Sequence, residues 1–148
     1  RRVIQVVEST NVYLHPHSAY STKLVLTYPQ CGMVQVSEKP YFLADVKAGS
    51  EFKLILKVLT KDNREVYVGY LPETVLQTTA ASSGNYFYFP LNAVSRNNGW
   101  MQVVADLAGD LRKHQIEYAA TTWLSFHGQE ISLDNLGFST GVLKNLLK

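Results

Sequence analysis

Along the first 77 residues apolar and polar positions alternate in pairs rather than in threes and fours, the pattern of half-buried strands. Val3-Ile4-Gln5-Val6-Val7 predicts a first strand, ended by Ser9-Thr10-Asn11. Lys23 to Tyr28 and Met33 to Val36 predict two more, separated by Pro29-Gln30-Cys31-Gly32 as a turn. Phe52 to Leu59 is a longer apolar run punctuated by Lys53 and Lys57, and Lys61-Asp62-Asn63-Arg64 makes a tight hairpin turn before Glu65 to Tyr70 returns. A Gly69-Tyr70-Leu71-Pro72 corner, one helical turn and a short strand then end this all-β half. The small polar stretch Thr78 to Gly84 predicts a linker or surface loop.

Beyond it Asn85 to Pro90 reads as one more strand, and the period then changes. Met101, Val104, Ala105, Leu107, Ala108 and Leu111 fall at three- and four-residue spacing, which predicts an amphipathic helix from Trp100 to His114 weakened at Gly109. Ile116 to Phe126 predicts a second helix, with Tyr118, Ala119, Thr122, Trp123 and Phe126 on one face. Ser132 to Phe138 predicts a short helix, and Ser139 caps a last one over Val142 to Leu147. The expected fold class is therefore α+β: a small β-barrel over 1–77, followed by a strand and a mainly helical element over 85–148.

The closing segment Val68-Gly69-Tyr70-Leu71-Pro72-Glu73-Thr74-Val75-Leu76 resembles the end of an SH3 domain. In that family a strand ends in Gly-aromatic-aliphatic-Pro, a 3₁₀ turn follows and an aliphatic residue opens the last strand. The resemblance spans about residues 3–77 and implies an SH3-like barrel, with Asn11-Val12-Tyr13-Leu14 as the early aromatic strand. Its ligand does not carry over. Ile55 or Leu56 stands where the family has the groove tryptophan, Val75 stands where it has a tyrosine, and Pro16 to Thr22 lacks an acidic loop. The resemblance thus implies a non-polyproline surface, and Tyr13, Tyr70, Pro72 and Tyr88 are the expected partner-binding residues. Residues 123–138 with 142–147 resemble the end of a SAM or LOTUS helical domain, in which Leu-Gly-Phe caps one helix and anchors the next.

Composition narrows the function classes. Hydrophobic residues make up 46% and charged residues 18% of the 148, which describes a core-forming chain rather than a disordered one. The net charge of +2 and the absence of any long basic run leave a nucleic-acid partner to a patch made by folding. One cysteine, Cys31, rules out an intrachain disulfide framework. No apolar run approaches the roughly 18 residues of a membrane span. The chain begins Arg-Arg, which reads as a piece of a longer protein, and the lack of a signal peptide or glycosylation sequon leans towards an intracellular setting.

The ionisable residues form no recognised catalytic set. His15 and His17 flank a proline with no third ligand nearby, and His114 and His127 read as surface or capping groups. Asp106 and Asp110 share a face at i, i+4, a spacing open to a cation or a general base, but the solvated face of an amphipathic helix that also carries Arg112 and Lys113 explains them more simply. Tyr86-Phe87-Tyr88-Phe89 places two tyrosines on one strand face and two phenylalanines on the other. No catalytic residue, metal or cofactor is expected. The expected function is a non-catalytic adaptor binding a protein partner. The alternatives are a nucleic-acid adaptor using Arg96, Arg112, Lys113, Lys144 and Lys148, and an accessory domain of a larger enzyme. The oligomeric state is not readable from the pattern.

Overall fold

The computed structural model describes residues 3–5, 10–14, 36–37, 39–49, 51–128 and 131–139, with backbone alone at 3–5, 10–14, 36–37, 123, 135 and 136. These residues are mostly strand, with two short helices. In chain order the strands are β1 (Val3–Gln5), β2 (Thr10–Leu14), β3 (Val36–Ser37), β4 (Tyr41–Lys47), β5 (Lys53–Thr60) and β6 (Glu65–Leu71). The single turn α1 (Glu73–Leu76) leads to β7 (Ser82–Ser83), β8 (Tyr86–Pro90), β9 (Ala93–Ser95) and β10 (Met101–Asp106). The chain continues through α2 (Leu107–Arg112) to β11 (Tyr118–Gly128) and β12 (Ser132–Ser139).

Among the described residues two open sheets result, and no closed barrel. Sheet A has the order β1-β12-β4-β10-β9, and sheet B the order β2-β11-β5-β6-β8-β7 with β3 also on β11. Setting aside β3 and the additions between β6 and β10, β1-β12-β4-β10 faces β2-β11-β5-β6. That is the strand order of an eight-stranded jelly roll, two Greek keys folded onto each other. The barrel expected over 1–77 is overturned because its strands are dealt out to both sheets, where strands from beyond residue 84 separate them. β12 lies beside β4, and β11 lies beside β5.

The C-terminal helical element is overturned as well. Residues 101–106 pair with β4 as a strand, and Val103 and Ala105 face the core at a spacing of two. Helix begins only at Leu107, where the Asp106 carboxylate accepts the Gly109 N–H at 3.0 Å and stops the strand. A Cβ at position 109 would overlap that carboxylate, so a side chain there would push the cap aside. Residues 118–128 form the longest strand in place of a helix. Its register on β5 shifts between Tyr118 and Ala120 and again between Thr121 and Trp123. Such bulges insert an extra residue and change a two-residue alternation into an apparent spacing of three or four. β12 carries a similar shift between Asp134 and Gly137, so 132–138 is strand rather than helix. The predicted helix over 142–147 and the predicted strand over 23–28 lie outside the described residues.

Other expectations hold. β1, the β5–β6 hairpin, the α1 turn and β8 form where the pattern places them, while β2 takes up Thr10 and Asn11, which were expected to end the first strand. The hairpin turn carries Asn63 at φ 65, and the Thr60 N–H donates to the Arg64 carbonyl at 2.9 Å. Asparagine tolerates that left-handed conformation better than most residues.

The core lies between the sheets. Phe42, Ala44 and Val46 of β4 with Val103 and Ala105 of β10 face Leu54, Leu56 and Val58 of β5, and all are buried. Aromatic rings bridge the gap: Phe42 of sheet A lies 6.2 Å from Phe126 of sheet B, and Phe126 lies 6.2 Å from Phe52. Phe138 of β12 closes on Phe42 at 5.1 Å. Among the described residues no helix is long and apolar enough to cross a membrane.

Phe126 touches both sheets' aromatic cluster and has no exposed surface. Phe126→Ala is expected to lower unfolding free energy by about 3–5 kcal/mol through the cavity it leaves. Urea denaturation of the two proteins measures the difference.

Candidate functional site

The outer face of sheet B presents aromatic side chains in a row. Residues 66, 68 and 70 of β6 turn inward, which leaves Tyr67 and Gly69 facing out. β8 runs parallel to β6 with Tyr86 opposite Tyr67 and Tyr88 opposite Gly69. The Tyr67 and Tyr86 rings stack at 4.6 Å and 10°, and the Tyr86 and Tyr88 rings lie 6.2 Å apart at 17°. Tyr86 is 39% exposed and is the exposed large apolar side chain among the described residues.

Gly69 makes room for this ladder. A Cβ at that position would come within 2.8 Å of Tyr88 Cδ1 and 3.0 Å of Cε1, so the Tyr88 ring occupies the space a side chain would take. On the neighbouring strand Lys57 stands in register with Tyr67, and its Nζ pairs with Glu65 at 3.0 Å. The rim of the ladder is therefore charged and its centre aromatic.

The inner face of the same strands carries a different constellation. Tyr70 is 2% exposed, and its hydroxyl donates to Asp110 Oδ2 of α2 at 2.8 Å. Lys113 Nζ donates to the other Asp110 oxygen at 3.1 Å and lies 5.8 Å from the Phe89 ring centre. His114 packs 4.9 Å from Phe87 and 5.7 Å from Phe89. Burial, reinforced by Asp110, pushes the Tyr70 phenol well above its ordinary value of 10.0, so at neutral pH it is a fixed donor and not an acid or base. A cavity of about 250 Å³ opens beside it, lined by Tyr70, Pro90, Asn92, Asp106, Asp110 and Lys113. The two aspartates of the i, i+4 pair are thus divided between capping α2 and holding Tyr70.

Of the four residues expected to bind a partner, Tyr70 and Tyr88 point to opposite faces of sheet B. Tyr88 is half-buried within the ladder. Tyr70 belongs to the core, because the alternation of β6 sends it inward with Val66 and Val68. Pro72 is half-buried at the start of α1, where its carbonyl accepts the N–H groups of Val75 and Leu76 at 3.0 and 2.9 Å. Tyr13 stands in β2 in register with Ser125, and its side chain lies outside the described residues. Sequence pattern alone gives Tyr67 no role and Gly69 only that of a corner, since the parallel β6–β8 register is what brings them under Tyr86 and Tyr88.

Histidine and carboxylate positions offer no converging set. His127 Nε2 lies 2.8 Å from Ser125 Oγ, and burial, followed by the charge of Lys53, holds its pKa below the ordinary 6.5. No group of three or more His, Cys, Asp or Glu residues comes together among the described residues. His15, His17 and Cys31 lie outside them. No protein-family profile matches the chain, and no curated protein is significantly similar to it.

Tyr70→Phe removes a donor from a carboxylate at the core's edge while keeping the ring. The expected loss is about 1.5–3 kcal/mol, measured by denaturant unfolding at neutral pH.

Proposed function

We propose that this chain is a non-catalytic interaction module that binds a protein partner through the outer face of sheet B, centred on Tyr67, Tyr86 and Tyr88. The observation that carries this reading is the tyrosine ladder itself, held by backbone register and by the space at Gly69. Tyrosine supplies large contact area with little side-chain entropy to lose, and its hydroxyl keeps the surface soluble when unbound. The Lys57–Glu65 pair beside it supplies a polar rim of the kind that surrounds aromatic anchors at interfaces.

The stacking also favours one kind of ligand over others. Rings that lie 4.6 Å apart and nearly parallel leave no cleft between them. A polyproline helix needs splayed aromatic walls to seat its rings, and a nucleobase needs a free aromatic face. Stacking covers one face of the Tyr67 ring and engages Tyr86 from two sides, an arrangement suited to a flat protein surface. The nucleic-acid alternative drew on LOTUS-like helices, and residues 132–139 of that stretch are strand.

Capture of partners from the native source on the immobilised chain tests the proposal, with Tyr86→Ala as the decisive variant. Because Tyr86 protrudes, the variant is expected to melt within a few degrees of the parent. A hot-spot truncation worth about 2 kcal/mol lowers affinity roughly thirtyfold. A captured protein that binds Tyr86→Ala and Tyr67→Ala as tightly as the parent removes this face from the account.

A further inference from the structure

A concave site lies on sheet A, away from the tyrosine ladder, where β9 turns into β10. The turn is closed by the Arg96 N–H donating to the Trp100 carbonyl at 2.7 Å and by the Trp100 N–H donating to the Asn97 carbonyl at 3.2 Å. Asn98 at φ 61 and Gly99 at φ 78 both adopt the left-handed conformation that makes so sharp a reversal possible. At the base, Gln102 of β10 stands in register with Asp45 of β4, and both project away from the core, since Ala44, Val46 and Val103 beside them are buried. The Arg96 guanidinium donates to the Gln102 side-chain oxygen and ties the turn to the sheet.

These elements enclose a hollow of about 550 Å³ lined by Asp45, Arg96, Asn97, Asn98, Trp100 and Gln102. Its size falls within the roughly 300–1,000 Å³ of small-ligand sites. The lining is unusual in composition. Five of the six side chains end in a planar fork: one carboxylate, one guanidinium and three carboxamides. The sixth is an indole.

We infer that this hollow is a binding site for a neutral saccharide. Adjacent ring hydroxyls both donate and accept, and planar forks can engage two of them at once with directional hydrogen bonds. The Trp100 indole supplies a broad apolar surface suited to the C–H face of a pyranose. Charge sets the class more narrowly. Arg96 and Asp45 bring opposite charges, so the lining has no excess of cations with which to hold a phosphate, sulfate or sialyl group. An extended peptide would need several apolar seats, and Trp100 is the one apolar residue of the six. Backbone hydrogen bonds and the register of two strands fix the backbone that carries the forks before any ligand arrives, which reduces the ordering cost of binding.

The site is separate from the tyrosine ladder, and its test is independent of the partner-binding proposal. A glycan array carrying neutral, sulfated and sialylated saccharides is probed with the labelled chain, and the strongest neutral glycan is then titrated calorimetrically. Neutral glycans are expected to bind. Trp100→Ala should weaken the interaction at least tenfold. Asn98→Gly keeps the left-handed backbone while deleting one amide, and should weaken binding severalfold with an unchanged melting temperature. Tyr86→Ala should bind the glycan like the parent. The inference is overturned if no neutral saccharide is retained, if binding is confined to sulfated or sialylated glycans, or if both site variants keep full affinity.

Discussion

Everything in this structure depends on two sheets being pressed together by rings that belong to distant parts of the chain. Phe42 enters from β4, Phe52 from the residue just before β5, Phe126 from β11 and Phe138 from β12. Each is apolar surface that its own sheet cannot cover, because a single sheet buries only one face. The jelly-roll order follows from the same need. A chain that crosses between sheets several times places early and late strands side by side, so no sheet is complete until β11 and β12 have arrived. Such non-local pairing carries a large loop-closure cost, which the inter-sheet core must exceed.

That constraint also creates the proposed site. Once Val66, Val68 and Tyr70 are committed to the core, the residues between them must face outward, and Tyr67 and Gly69 come to lie on the far side of sheet B. The insertion between β6 and β10 then adds β8 in parallel, so each outward residue of β8 stands over an outward residue of β6. Burial of one face therefore fixes the spacing of the other. The ladder is a consequence of the core and not an addition to it, and the same logic places Asp45 beside Gln102 on the outside of sheet A.

How much of this was legible beforehand depended on whether local and global signals agreed. The β5–β6 hairpin was legible because lysines at 53 and 57 mark one face, leucines at 54 and 56 mark the other, and a polar four-residue turn separates the strands. The division of Tyr86 and Tyr88 from Phe87 and Phe89 was legible for the same reason. The last third misled. Met101, Val104, Ala105 and Leu107 have helical spacing, yet Val103 and Ala105 are what the core uses, and the true helix waits for the Asp106 cap. In β11 two bulges erase the alternation that would have betrayed a strand. Tyr70 looked like a surface residue beside a proline corner, but its place in the alternation of β6 decides its direction. Tyr67 could not be joined to Tyr86 by any local rule, since a parallel register between strands nineteen residues apart is set by the sheet.

The most direct test of the account is to cut the chain between the halves that the two sheets interleave. A protease site introduced after Ala80, in the exposed stretch before β7, severs β6 from β8 without deleting a strand. The two-sheet arrangement predicts that the nicked halves remain together through size-exclusion chromatography, and that residues 1–77 alone show no cooperative thermal unfolding. An isolated 1–77 fragment that melts cooperatively, with the dispersed amide spectrum of a folded domain, would contradict it.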